Sequence, residues 1–153
     1  MEAFSIGEKM VDTQKSLLTY IYNLLTTDET LKTAMGGTVR LALTWAPPDC
    51  EFPYLVQRLD MRREPGTHVV RRASHYLDIW SDSPNADEAL AIRALLIELL
   101  DELVFSTDDV GHVHISLESD GFIPETEQGI FHYAMMFDWI FRRDSEATAI
   151  EGR

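Results

Sequence analysis

At 153 residues, 45% hydrophobic and 25% charged, the chain has the length of one domain and the composition of a globular one, which excludes a wholly disordered protein. Thirteen Lys and Arg against 26 Asp and Glu leave a net charge of -13, which argues against wrapping nucleic acid, because phosphate binding is driven by clustered cations that release counterions. No apolar run approaches the roughly 20 residues that span a bilayer as a helix, and the first residues lack the basic-then-apolar order of a signal peptide, so the expected location is cytoplasmic, with no membrane partner.

The first eleven residues carry no clear period and read as a flexible arm. From Asp12 to Thr26, Leu17, Leu18, Ile21, Leu24 and Leu25 recur at helical spacing, with Asp12 or Thr13 available as a cap. A second short helix begins at Asp28 and stops at Gly36-Gly37, where glycine can take the left-handed conformation that closes a helix. Thr38 to Trp45 is rich in β-formers and ends at Ala46-Pro47-Pro48-Asp49, since proline has no donor for a ladder.

Tyr54–Arg63 and Val69–Trp80 then predict a long β-hairpin, joined at Glu64-Pro65-Gly66-Thr67 by a turn that suits type II. Its base is apolar and its outer half is mostly Arg, His, Ser and Glu, so the outer half is expected to project. Asn85, with Glu88 three residues later, reads as a capping box. Ala89, Ile92, Leu96, Leu99 and Leu103 follow as the buried stripe of a helix lying across the sheet.

His112 to Glu118 alternates as a half-buried strand with Val113, Ile115 and Leu117 inward. In the run Ile130–Arg142, Phe131, Tyr133, Met135, Phe137, Trp139 and Phe141 share one face, while Ala134, Met136 and Ile140 share the other. Such a strand is covered on much of both faces, or on the second by another subunit. The order α-α-β-β-β-α-β-β gives an α+β fold, a mainly antiparallel sheet with a long projecting β-hairpin packed against helices on one face. A single domain over 1–149 is expected. Ile150-Glu151-Gly152-Arg153 matches the recognition sequence of a blood-clotting protease used to remove fusion tags and is set aside.

Chemistry leaves few candidates. The one cysteine, Cys50, cannot form an internal disulfide and has no Cys or His neighbour at metal-ligand spacing. His112, His114 and Glu118 would share one strand face and could hold a divalent metal, which keeps open a small metal-dependent enzyme. Plain alternation explains them equally as a solvent face, and His68 and His75 on the hairpin read as solvated. Phosphate-cradling glycine loops, nucleophile elbows and dinucleotide fingerprints are missing, so no catalytic residue and no cofactor is expected.

Charge distribution says more than the total. Arg58, Arg62, Arg63, Arg71 and Arg72 stand against Asp60 and Glu64, so one hairpin carries +3 and the rest of the chain -16. A basic arm facing an acidic neighbour favours head-to-tail contact between identical subunits, which closes into a ring when its rotation allows. A ribbon charged against edge aggregation, or a monomeric acidic adaptor for a basic partner, are the other readings.

The succession Gly36-Gly37, Trp45-Ala46-Pro47, Phe52-Pro53-Tyr54-Leu55-Val56, Asp78-Ile79-Trp80 and the helix from Ala86 to Leu103 resembles the tail-completion (tail-terminator, minor tail-component) proteins of bacteriophages and prophages. The likeness runs over about Leu31 to Phe141. It implies a non-enzymatic α+β subunit that assembles with itself as a ring, typically a hexamer, at the end of the tail tube. It also implies that tube growth stops there, that the ring joins the head connector proteins, and that DNA passes through without specific binding. The location implied is the bacterial host cytoplasm during assembly and the head-proximal end of the virion tail. The hairpin arginines would then lie in the subunit interface.

Overall fold

The computed structural model describes residues 2–62 and 70–143, with side chains over 13–62 and 70–142. The elements are α1 (Glu2–Thr27), α2 (Glu29–Ala34), β1 (Leu41–Leu43), β2 (Tyr54–Arg62), β3 (Val70–Ser81), α3 (Asp87–Leu100), β4 (Val104–Phe105), β5 (Val110–Ile123) and β6 (Phe131–Arg143). The architecture is α+β: one six-stranded sheet in the order β1-β2-β3-β6-β5-β4, antiparallel except for the β1–β2 pair, with helices packed on one face.

The helical path of α1 begins well before the Asp12 or Thr13 cap read from periodicity. Its buried face is Leu17, Ile21 and Leu25, at the four-residue step of one helix stripe. The Asp28 carboxylate accepts the Leu31 N–H at 2.9 Å and starts α2. At its end, the N–H of Gly37 bonds to the carbonyl of Lys32 at 2.7 Å and that of Gly36 to Thr33 at 3.2 Å. With φ of 86° and 112° at Gly36 and Gly37, this double glycine satisfies carbonyls that would otherwise be left bare.

Past that stop, Arg40 ties the loop before β2 to the end of α2. Its Nε donates to the carbonyls of Glu51 (2.9 Å) and Pro53 (3.1 Å), and its Nη2 to those of Met35 (3.0 Å) and Phe52 (3.2 Å). One planar fork thereby serves four backbone acceptors, a geometry lysine cannot reproduce. Arg40→Ala should lower stability by about 2 kcal/mol, since hydrogen bonds to a charged donor are lost and acceptors are stranded. Arg40→Lys should recover little of it, as read from urea midpoints; equal stability of wild type and Arg40→Ala would sink the argument.

β2 and β3 pair from Tyr54↔Trp80 through Arg62↔Arg72, and β3 continues against β6 from Val70↔Arg142 to Ser81↔Phe131. The described outer half of the hairpin therefore lies within the sheet, with β3 flanked on both sides. The turn expected at 64–67, His68 and the last residues, 144–153, lie outside the described residues. His75, read as solvated, is fully buried under the helical layer, because its strand is central and its side chain falls on the helix-facing row with Ala73, Leu77 and Ile79.

Other local readings need correction. Asn85 and Glu88 do not form a capping box: Ala86 occupies the cap with helical φ and ψ, Asn85 Oδ1 accepts from the Asp87 N–H, and Glu88 accepts from the Ser81 hydroxyl at 2.6 Å. Burial on α3 follows Ala89, Ile92, Leu96 and Leu100 rather than Leu99 and Leu103, since the helix ends before Leu103. Strand β4, at two residues, is too short to give a periodic signal. The core centres on β6, whose Tyr133, Met135, Phe137, Trp139 and Phe141 meet Ile92 and Leu96 of α3 and Leu17 and Ile21 of α1 in one apolar cluster.

Candidate assembly surfaces

The described hairpin arginines have partners within the chain. Arg58 bonds Asp60 at 2.6 Å and lies over the Tyr76 ring at 4.1 Å, while Arg62 reaches across β3 to Asp138 of β6 at 2.7 Å. Both side chains stay about half exposed, so their pairing leaves donors toward solvent. Arg71 and Arg72 lie on β3 and also have partners within the chain; Arg63 is outside the described residues. Arg58 and Arg62 fall on the sheet face away from the helices.

His112, His114 and Glu118 are not gathered. His112 sits in a break of register with φ of 52°, His114 bonds Glu102 at 2.8 Å, and Glu118 falls at a second break between Leu117 and Ser119. The two breaks spoil the strict alternation on which a shared face depends. Among the described residues, no group of three His, Cys, Asp or Glu is close enough to hold a metal ion. Cys50 lies in the loop before β2, its thiol pushed up mainly by burial.

The best-built polar site is on β6. His132 stacks on Trp80 with ring centres 3.9 Å apart, and its two ring nitrogens face Glu125 (2.7 Å) and Asp78 (3.0 Å). The contact ties the β5–β6 loop to β3. Nearby, the Tyr133 hydroxyl and Arg93 Nε (2.6 Å) both donate to Asp120 Oδ2, and these bonds hold the Asp120 carboxyl below its usual range. Burial pushes the Tyr133 phenol up. Each of these polar groups has a fixed partner.

What remains available is surface. The sheet face opposite the helices is half-covered at Ala134, Met136 and Ile140 and hollowed between Val56, Tyr76, Asp78 and Gly121. At one edge, Trp45 N–H bonds Leu43 carbonyl at 2.8 Å around Thr44, whose φ is 71°, and this tight turn leaves Trp45 78% and Leu43 56% exposed. Beside them a groove runs between Lys15, Leu18 and Tyr22 of α1 and Leu59 of β2. Large exposed apolar side chains of this kind mark contact surfaces. From its neighbours in sequence Trp45 reads as a strand end; the following Ala-Pro-Pro is the local sign that the tryptophan leaves the sheet. No helix among the described residues is long and apolar enough to cross a membrane.

A helix-backed sheet with a second, open face and polar groups locked in pairs presents contact surfaces. The chain belongs to the tail completion protein gp17 family, which matches residues 19–142, and so to the structural proteins of phage tails. Among solved structures it is similar to a chain in the virion of a native gene transfer agent particle, with 13% identity, a TM-score of 0.67, and coverage of 80% of this chain and 91% of that one. A second solved chain is 18% identical with a TM-score of 0.58, covering 84% of this chain and 94% of the other. At these identities the likeness speaks for the fold. No curated protein matches the sequence.

Proposed function

We propose that the protein is a tail-completion subunit that assembles with itself as a ring, of six copies as is typical of such proteins, on the end of a phage-type tail tube. In that position it ends tube growth and forms the joint to the head connector, and DNA passes through the ring without specific binding. It works without catalysis. Assembly takes place in the bacterial host cytoplasm, and the product sits at the head-proximal end of the tail. The unit that assembles is the single domain over 1–149, with 1–11 as an arm. The single observation that carries the reading is the family match over residues 19–142, and the open sheet face and exposed apolar edge are what a subunit that must bind copies and neighbours requires.

The hairpin arginines Arg58, Arg62, Arg63, Arg71 and Arg72 supply the basic side of the subunit contact. A net charge of -16 spread over the rest of the chain gives that basic side an acidic counterpart on the next copy and keeps DNA from sticking to the ring. Light scattering across protein concentrations at low and high salt should find a ring-sized mass that salt weakens. Charge reversal of Arg62, Arg63, Arg71 and Arg72 together should abolish it. A strict monomer under every condition would remove self-assembly from the reading, and an unaltered ring after charge reversal would remove the arginines.

A further inference from the structure

Both long edges of the sheet are only partly covered, and at opposite ends. On one side β1 covers β2 at Leu55–Gln57, followed by the Thr44 N–H to Gln57 carbonyl bond. From Arg58 to Arg62 the outer edge of β2 has no strand beside it among the described residues, and Gln14 Nε2 alone reaches it, at the Leu59 carbonyl (2.9 Å). On the other side β4 covers β5 at Val113–His114, Glu102 and Leu103 bond Ile115, and Asp101 takes the Leu117 N–H. From Glu118 to Ile123 the outer edge of β5 is open in the same sense.

We propose that these two open stretches pair with each other between successive copies, so that the sheet of one subunit continues head-to-tail into the next; this rests on the ring reading above. Three observations select a second copy as the occupant. First, β2 and β5 run in opposite directions within the chain, through the antiparallel pairs β2–β3, β3–β6 and β6–β5. A copy displaced within the sheet therefore presents β5 antiparallel to β2, the arrangement that forms a regular ladder.

Second, the covered and open parts interlock. Asp60 is level with Ser74, Asp138 and Ser116, whereas Gly121 is level with Ala134, Asp78 and Val56. Bringing the open stretches together thus needs a shift of about four residues, roughly 13 Å at ~3.3 Å per residue. That shift moves β1 of one copy clear of the open part of β5 in the next, and β4 of the next clear of Arg58–Arg62. In a closed ring, strand tilt absorbs the stagger as shear does in a barrel.

Third, charge forbids the two-fold alternative. The β2 edge carries Arg58 and Arg62, with Lys15 exposed on the flanking helix, against Asp60. The β5 edge carries Glu118 and Asp120, the latter already held by Arg93. Two β2 edges, or two β5 edges, would set like charges opposite each other, while β2 against β5 sets Arg beside Glu. Met61 on one edge and Phe122 and Ile123 on the other are exposed apolar side chains that the joint would cover. An open edge with such residues is otherwise an aggregation liability.

The test uses the full chain with Cys50→Ser, which removes its one thiol. Met61→Cys and Ser119→Cys, both at exposed positions, are introduced singly and together and treated with a short bismaleimide at the concentration where assembly is seen. The double variant should give a ladder of covalent dimer, trimer and higher species on a denaturing gel, and each single variant should stay monomeric. Cross-linked dimers from one single variant would overturn the joint in favour of a two-fold contact. A ring-sized mass without a ladder would overturn the edge pairing and leave the ring; no assembly and no ladder would overturn both. If the Ser119→Cys chain loses its native circular dichroism, Glu118→Cys replaces it under the same criteria.

Discussion

Lowering the pH from 6.5 to 4.5 should cost the folded protein about 2.3 kcal/mol through one residue, His75. The imidazole is fully buried, and burial pushes it from the ordinary 6.5 down to about 3. Its Nε2 faces Gln57 Oε1 at 2.9 Å, which requires the Nε2–H tautomer. That leaves Nδ1 as a bare acceptor, and among the described residues neither it nor the neighbouring Trp139 Nε1 has a hydrogen-bond partner. Among the described residues no carboxylate is bonded to the ring to favour its charged form.

The folded state keeps His75 neutral down to about pH 3, while the unfolded state binds a proton below about 6.5. The contribution is therefore whole above 6.5, falls by about 1.4 kcal/mol per pH unit below it, and levels off near 3. Urea melts of wild type and His75→Leu/Gln57→Leu should diverge by that slope as pH falls, the double change sparing Gln57 an unpaired buried carbonyl. Parallel curves, or an NMR titration of the His75 ring near 6.5, would refute the assignment.

The second large effect contrasts two tryptophans. Trp139→Ala should cost about 3–5 kcal/mol, a large share of a typical domain's 5–15 kcal/mol. Trp139 is fully buried on β6, edge-on to Phe105 at 6.2 Å and beside His75 at 4.8 Å, and it lies where α1 and α3 meet the sheet. The truncation opens a cavity that this close-packed layer cannot collapse to fill. Trp45→Ala, at 78% exposure, should leave stability within about 0.5 kcal/mol and act instead on assembly. Equal shifts of the urea midpoint in the two variants would contradict the placement of the core.

The helix and strand periods of this chain were legible because each depends on neighbours a few residues away. Leu17, Ile21 and Leu25 at helical steps, Gly36-Gly37 as a helix stop, and the alternation of Phe137, Trp139 and Phe141 all appear in the structure where local chemistry put them. The same holds for the hairpin arms, since Tyr54 to Arg62 and Val70 to Ser81 are written in β-formers between turn residues. The α+β class and the family followed from the order of those elements.

Tertiary structure decided what long-range pairing decides. Placement of β6 against β3 made the hairpin a central ribbon, buried His75, and sent Arg62 to Asp138, 76 positions away. Register breaks at His112 and after Leu117 separated side chains that simple alternation had put together. The half-open edges of β2 and β5 exist only once six strands have an order. A sequence fixes which face a residue prefers through its neighbours' polarity, but which strand lies beside another is set by the packing of the whole sheet against its helices, a choice no local pattern carries.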